Sequence, residues 1–280
     1  MSLLNSFSAL KSFTNSLPVT EKVMPALFIG HGSPMNGIED NEFSQTWSAM
    51  AGSIPIPKAV IVISAHWLTN GTRITAMPFP KTIHDFGGFP ESLYQVQYPV
   101  RGNPSLAQEV KELVKNAVVE LNHDWGLDHG AWTVVRHMYP DASIPVLQIS
   151  IDYTKNMQFH YDLARELVAL RKKGILVIGS GNLVHNLKLV AWDKLSLLDY
   201  SYDWAAEIST RLKKLILNND HTQLINYPSL GKEALMAIPT PDHYIPLLYT
   251  LGLQDPNEPI SLFNDKAVGG SITMTSIKVG

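Results

Sequence analysis

The chain has 280 residues, a net charge of −3, 45% apolar and 17% charged side chains, and no cysteine. That balance belongs to a globular protein with a sizeable core and excludes a disordered chain. It offers no electrostatic basis for nucleic-acid or anionic-membrane partners, and no apolar run approaches the roughly 18 residues of a membrane span. The lack of cysteine excludes disulfides, thiolate nucleophiles and zinc–sulfur sites, and fits a reducing, cytoplasmic setting.

Residues 1–24 are rich in serine and asparagine, with two lysines and no arginine. They lack an apolar segment long enough for a targeting peptide and read as an N-terminal extension. The folded domain is expected to run from 25 to 280. Residues 26–30 (ALFIG), 59–65 (AVIVISA), 144–150 (IPVLQIS) and 175–180 (ILVIGS) are continuous apolar runs. Such runs suit strands covered on both faces, as in a largely parallel sheet. Between them, Leu106, Val110, Leu113, Val114, Ala117, Val118 and Leu121 recur at helical spacing after an Asn103-Pro104 start signal. Phe159, Leu163, Leu167 and Leu170 mark a second helix stopped by Gly174, and Trp204, Ile208, Leu212 and Leu215 a third. Residues 271–279 (SITMTSIKV) alternate as a half-buried antiparallel strand would. There is no internal repeat or low-complexity linker. The expected fold is a single α/β domain, a central, largely parallel mixed sheet with helices on both faces. No feature speaks to oligomeric state.

The ten histidines are placed unevenly. His31 follows the first strand in FIGHGSP, His66 the second in VISAHW, and His185 the 175–180 strand in IGSGNLVHN. In an open α/β sheet ligands bind at the carboxyl ends of the strands, so these three can converge. His243, in IPTPDHYIPLL, sits at an expected helix start with Thr240 as N-cap and Pro241 at the first helical position. Several imidazoles without cysteine point to a catalytic metal site for zinc, iron, copper or nickel. His129, in GLDHGAW, is a candidate proton-transfer group, with Asp128 as a candidate helix cap. His84 belongs to a long glycine- and aromatic-bearing loop that reads as a candidate substrate lid. His123, His137, His160 and His221 read as background. Phe86, Phe89, Trp67, Trp132 and Tyr244 are candidates for an aromatic pocket. The GSG at 179–181 lacks the rest of a dinucleotide fingerprint, and GHGSP has the wrong order for a serine-nucleophile turn.

The segments MPALFIGHGSPMN, SAHW, TIHDFGGFP, DHGAW, SGNLVHN and PTPDHYIPLLY occur in this order from Met24 to the C-terminus. Together they resemble the 4,5-DOPA extradiol dioxygenase family, within the class III extradiol ring-cleavage dioxygenases. The resemblance implies a catalytic domain from residue 25 and metal ligation at His31, His66, His185 and His243. It also implies an active-site role for His129, catalytic Fe(2+) with Zn(2+) possible in its place, and a small-molecule catechol and O2 as substrates. The wider superfamily commonly uses two histidines and a glutamate; here the matching position reads Asp242-His243, so the third ligand is His243 or Asp242. His185 has two implied roles, as metal ligand and as acid–base catalyst. The resemblance favours His31, His66 and His243 as working ligands, with His185 moving between metal and substrate. Two rival readings stand beside it, a zinc hydrolase and a redirected superfamily member without dioxygenase activity.

Overall fold

Alternating strand residues project to opposite faces, so a strand apolar at every position needs a core on each side. A computed structural model describes residues 23–280 and shows that arrangement. Residues 1–22 of the expected N-terminal extension lie outside the described residues. Met24 is already buried and its N–H donates to the Arg171 carbonyl at 3.1 Å, so the core begins there.

The first half of the chain forms β1 (Ala26–Gly30), α1 (Glu42–Ser53), β2 (Ala59–Thr69), β3 (Thr72–Thr75), α2 (Glu91–Tyr94), α3 (Pro104–Leu113) and β4 (Val119–Asn122). Next come α4 (His129–Met138), β5 (Val146–Asp152), α5 (Met157–Glu166), α6 (Val168–Lys172) and β6 (Ile175–Gly181). The remainder forms α7 (Asp203–Leu217), α8 (His221–Ile225), α9 (Lys232–Ala237), α10 (Ile245–Gly252), β7 (Ile260–Phe263), β8 (Ala267–Val268), β9 (Ile272–Thr273) and β10 (Ser276–Val279).

Eight strands form one sheet in the order β4-β3-β5-β2-β6-β1-β10-β7. The central pairs β5–β2, β2–β6 and β6–β1 are parallel, as is β3–β4. The pairs β3–β5, β1–β10 and β10–β7 are antiparallel. The mixed, largely parallel sheet flanked by helices is the expected architecture. Ala26 and Phe28, Ala59, Ile61 and Ile63, and Ile175 and Val177 pack into one core with residues of α3, α5, α7 and α10. Leu27 and Ile29, Val60 and Val62, and Leu176 and Ile178 pack into the other with α1 and α4. The buried areas that drive folding thus lie on both sides of the same three strands, β1, β2 and β6.

Several expected boundaries differ. The helix beginning at Pro104 stops at Leu113, because Val114 turns to extended backbone (φ −73°, ψ 124°). Val119–Asn122 then pairs with β3 as an edge strand, so Leu121 belongs to the sheet despite its helical spacing. The second helix is broken at Leu167 into α5 and α6, and Gly174 closes it with a left-handed φ of 81°. The single C-terminal strand expected over 271–279 is two pieces, β9 and β10. The helix expected from Pro241 begins at Ile245, with residues 241–244 forming a turn in which Tyr244 and Ile245 donate to the Pro241 carbonyl. Among the described residues no helix is long and apolar enough to cross a membrane.

Candidate active site

Five histidines meet at the carboxyl end of the central strands. His31 directly follows β1, and its ring is 1% exposed. Its Nδ1 lies 3.0 Å from Ser180 Oγ, on the adjacent strand β6. The Ser180 hydroxyl donates to the Gly130 carbonyl at 2.5 Å. A hydroxyl has one proton, so Ser180 must accept from His31 Nδ1–H, and the His31 Nε2 lone pair faces the cluster.

His66 lies inside β2, not after it. The register between β2 and β5 shifts between Ile63 and Leu68, a bulge that redirects the side chain of His66 at the sheet edge. His66 Nε2 stands 3.1 Å from His31 Nε2, and its Nδ1 lies 3.7 Å from Asp85 Oδ2. Burial, reinforced by the neighbouring imidazoles, holds both His31 and His66 well below the usual imidazole range. Both rings are therefore neutral without a bound cation.

His129 is the first residue of α4. Asp128 is its N-cap, accepting from the Ala131 N–H at 3.1 Å, as expected from sequence. The Asp128 carboxylate is fully buried and also accepts from Ser64 Oγ at 2.6 Å and Gln148 Nε2 at 2.7 Å. Burial, then the nearby Asp85 charge, pushes its carboxyl up against these donors. Gly130 is obligatory here, since a Cβ would stand 2.4 Å from Ser64 Oγ. His129 Nδ1 lies 3.0 Å from Asp85 Oδ2, and the His129 N–H donates to Asp85 Oδ1 at 2.8 Å. Burial alone would raise the Asp85 carboxyl, but the hydrogen bonds and charge of His129 hold it below its ordinary value.

His243 is carried in the turn before α10, where its Nδ1 lies 2.6 Å from Asp242 Oδ2. Burial would raise Asp242, yet this partner brings its carboxyl down to about 2. Asp242 is therefore turned to the back of the His243 ring. The turn approaches β6 so closely that a Cβ on Gly181 would lie 2.1 Å from the His243 carbonyl. The His185 ring stacks on His243, and burial followed by the charge of His243 lowers it to about 3.

The His243 ring centroid is 5.3 Å from that of His31 and 5.0 Å from that of His66. Among the described residues, the group of imidazoles whose candidate ligand nitrogens all lie within 4.8 Å of one another is His31, His66 and His129. All five site histidines singled out from sequence are thus brought together. Asp85 and Ser180 were not singled out. The signal for Asp85 was a carboxylate beside His84 in a glycine- and aromatic-bearing loop, but that reading rested on His84, whose ring bonds the Val96 carbonyl instead. Of the aromatic candidates, Phe86 meets His129 edge to face at 5.6 Å and Phe89 packs on Phe86. Trp132 is buried with its N–H on the Ile83 carbonyl, Trp67 stacks on Trp125, and Tyr244 lies in the core with its hydroxyl on the Leu224 carbonyl.

A doubly covered, largely parallel sheet with imidazoles gathered at its carboxyl edge places the site where α/β enzymes bind their ligands. Residues 25–274 match the family described as the catalytic LigB subunit of aromatic ring-opening dioxygenase, and the protein is an enzyme of this extradiol dioxygenase family. The chain is 45% identical over 262 residues to the 4,5-DOPA dioxygenase extradiol of Escherichia coli K12, covering 92% of this chain and 95% of that protein. It is 32% identical to the protein of the same name from Beta vulgaris, over 92% of this chain and 97% of the relative. The crystal structure of an uncharacterized protein from Escherichia coli K12 superposes with a TM-score of 0.79 at 40% identity, over 92% of this chain and all of that one.

Proposed function

We propose that this protein is a metal-dependent extradiol dioxygenase whose domain from residue 25 onward opens the ring of a catechol such as L-DOPA with O2. The observation that carries the reading is the pair of Nε2 atoms of His31 and His66, 3.1 Å apart. With Nδ1–H of His31 given to Ser180, the His31 Nε2 lone pair faces Nε2 of His66, whose Nδ1 lies 3.7 Å from Asp85 Oδ2. Such a contact is satisfied by a cation lying against both nitrogens, or, without one, by an Nε2–H of His66 directed at His31. Two imidazole nitrogens at about 2.0–2.1 Å from one ion would be separated by about 3 Å, which supports a shared metal. The donor set is nitrogen without thiolate, which fits Fe(2+) and also Zn(2+).

In this reading His31, His66 and His243 hold the metal, with Ser180 and Asp242 fixing two of the ring orientations from behind. When bound there, ferrous iron supplies the redox chemistry with O2 that no side chain of the protein can supply. The protein's own task is to move protons. His129, held at Nδ1, offers Nε2 to the hydroxyl proton that a catechol gives up on binding. His185, stacked on His243, is a second imidazole from which a proton can be returned as the ring opens. The names of the relatives support L-DOPA as a test substrate.

The test is anaerobic loading of metal-free protein with Fe(2+), then addition of L-DOPA or other catechols and O2. A yellow ring-fission product is expected. Its absence with every catechol sinks the proposal, and oxygen-independent hydrolysis by the zinc-loaded protein would favour the hydrolase reading in its place.

A further inference from the structure

The loop carrying Asp85 is tied down almost to that residue. Ile83 donates to the Leu127 carbonyl at 2.7 Å, and Leu127 donates to the Lys81 carbonyl at 2.8 Å. Trp132 Nε1 holds the Ile83 carbonyl at 2.9 Å, and the Tyr98 N–H holds Thr82 Oγ1 at 2.9 Å. His84, expected to belong to a lid, is pinned to the Val96 carbonyl at 3.0 Å. Only beyond Phe86 does the loop open, where a Cβ on Gly87 or Gly88 would meet nothing within 4 Å. Asp85 thus stands with Phe86 at the end of a fixed wall, and its carboxylate points at His129 and, at 3.7 Å, at His66.

It holds His129 at two points. Oδ1 accepts the backbone N–H at 2.8 Å and Oδ2 lies 3.0 Å from Nδ1. The edge-on ring of Phe86 packs against the same imidazole. A carboxylate acting only as an anion at the start of α4 would need the first contact but not the second. We propose that Asp85 is a positioning residue that fixes His129 as the Nδ1–H tautomer, with the Nε2 lone pair turned into the site. The inference rests on the reading of His129 as the proton-transfer group. In that step the catechol O–H bond breaks, its proton joins His129 Nε2, and the electron pair stays on the catechol oxygen. The Asp85 carboxylate remains ionised and keeps Nδ1–H. The same proton later leaves Nε2 for the product, so His129 ends as it began.

Asp85→Asn separates this role from simple anchoring. An amide offers one acceptor and one donor; with its oxygen on the His129 N–H, its NH₂ faces Nδ1 and favours the Nε2–H tautomer. A neighbour that imposes the wrong tautomer costs catalysis without moving the atoms. The full chain would be compared as wild type, Asp85→Asn and Asp85→Glu. The zinc-loaded proteins would be read by 15N spectra of the histidine side chains, and the iron-loaded ones by kinetics. We expect His129 to be Nδ1–H in the wild type and Nε2–H in Asp85→Asn. Because Asp85 Oδ2 also lies 3.7 Å from His66 Nδ1, kcat is read per bound metal; we expect it lower by about 10²-fold or more, KM for catechol within about threefold, and partial recovery of kcat in Asp85→Glu. A wild-type Nε2–H tautomer, an unchanged kcat in Asp85→Asn, or loss of metal in step with activity would overturn the proposal. If wild type cleaves no catechol, the dioxygenase reading fails, while the spectra still decide whether Asp85 sets the tautomer.

Discussion

His185 and His243 lie ring on ring, with centroids 3.5 Å apart and planes 11° from parallel. An imidazole nitrogen donates its lone pair in the ring plane, so an ion bound well by one of these rings lies far out of the plane of the other. On the proposed reading, one of the two would hold the metal: His243, oriented by Asp242, as the ligand, with His185 as the proton carrier. His243→Ala is therefore expected to lose bound metal. His185→Ala is expected to keep it and to lower kcat by about 10²-fold or more. Elemental analysis beside single-substrate kinetics checks both; equal metal loss in the two variants would contradict the assignment.

Ser180 is chemically inert yet sits behind His31. Ser180→Ala leaves the buried Nδ1–H of His31 without an acceptor, a cost of about 1–3 kcal/mol. Loss of such a support typically weakens metal binding by about 10–100-fold. Competition with a chelator is the measurement. An unchanged affinity would show that the His31 ring is fixed by something else.

Far from the site, Arg171 is 1% exposed and holds Glu258 through two bonds of 2.6 and 2.7 Å. It also holds the carbonyls of Met24 and Leu253, so one guanidinium ties the entry to β1, the end of α10 and the loop before β7. Glu258→Gln leaves that buried cation uncompensated. Breaking a buried pair costs about 3–5 kcal/mol, and the partial exposure of Glu258 places the expected loss near the low end, about 3 kcal/mol in urea unfolding. A loss below about 1 kcal/mol would mean the carbonyls alone suffice.

His160 is fully buried beside Tyr249, and burial lowers it to about 4. An unfolded chain takes up this proton near pH 6.5, whereas the folded one does so only near 4, so acid favours unfolding. Stability is therefore lost as pH falls from about 6.5 and levels off below about 4, the total being about 3 kcal/mol for this group. His160→Phe should flatten that part of the stability–pH curve in metal-free protein. Parallel curves for wild type and variant would assign the acid sensitivity elsewhere.

The parallel core was readable because its strands are apolar at every position, a pattern that only double coverage explains. The strand ends bring His31, His66 and His185 into one neighbourhood, and His243 is added from the start of a helix rather than from a strand. Periodicity misled at Leu121, where pairing of β4 with β3 overrides helical spacing. Asp85 was harder. Nothing local distinguishes it from a solvated loop acid, since its partner His129 is supplied by another part of the chain and the loop's direction is set by bonds to Leu127, Tyr98 and Trp132. The β2 bulge was hidden for the same reason, as a register shift exists only relative to a neighbouring strand.

The position of β1 between β6 and β10 has a consequence for biosynthesis. Among the described strands β1 comes first in the chain, while its neighbours β6 and β10 follow only at Ile175–Gly181 and Ser276–Val279. A nascent chain therefore holds β1 with both edges open until β6 is made, and with one open edge until β10 follows. The five site histidines are spread from His31 to His243, so the cluster is complete only once the turn before α10 has joined the edge formed by β1, β2 and β6.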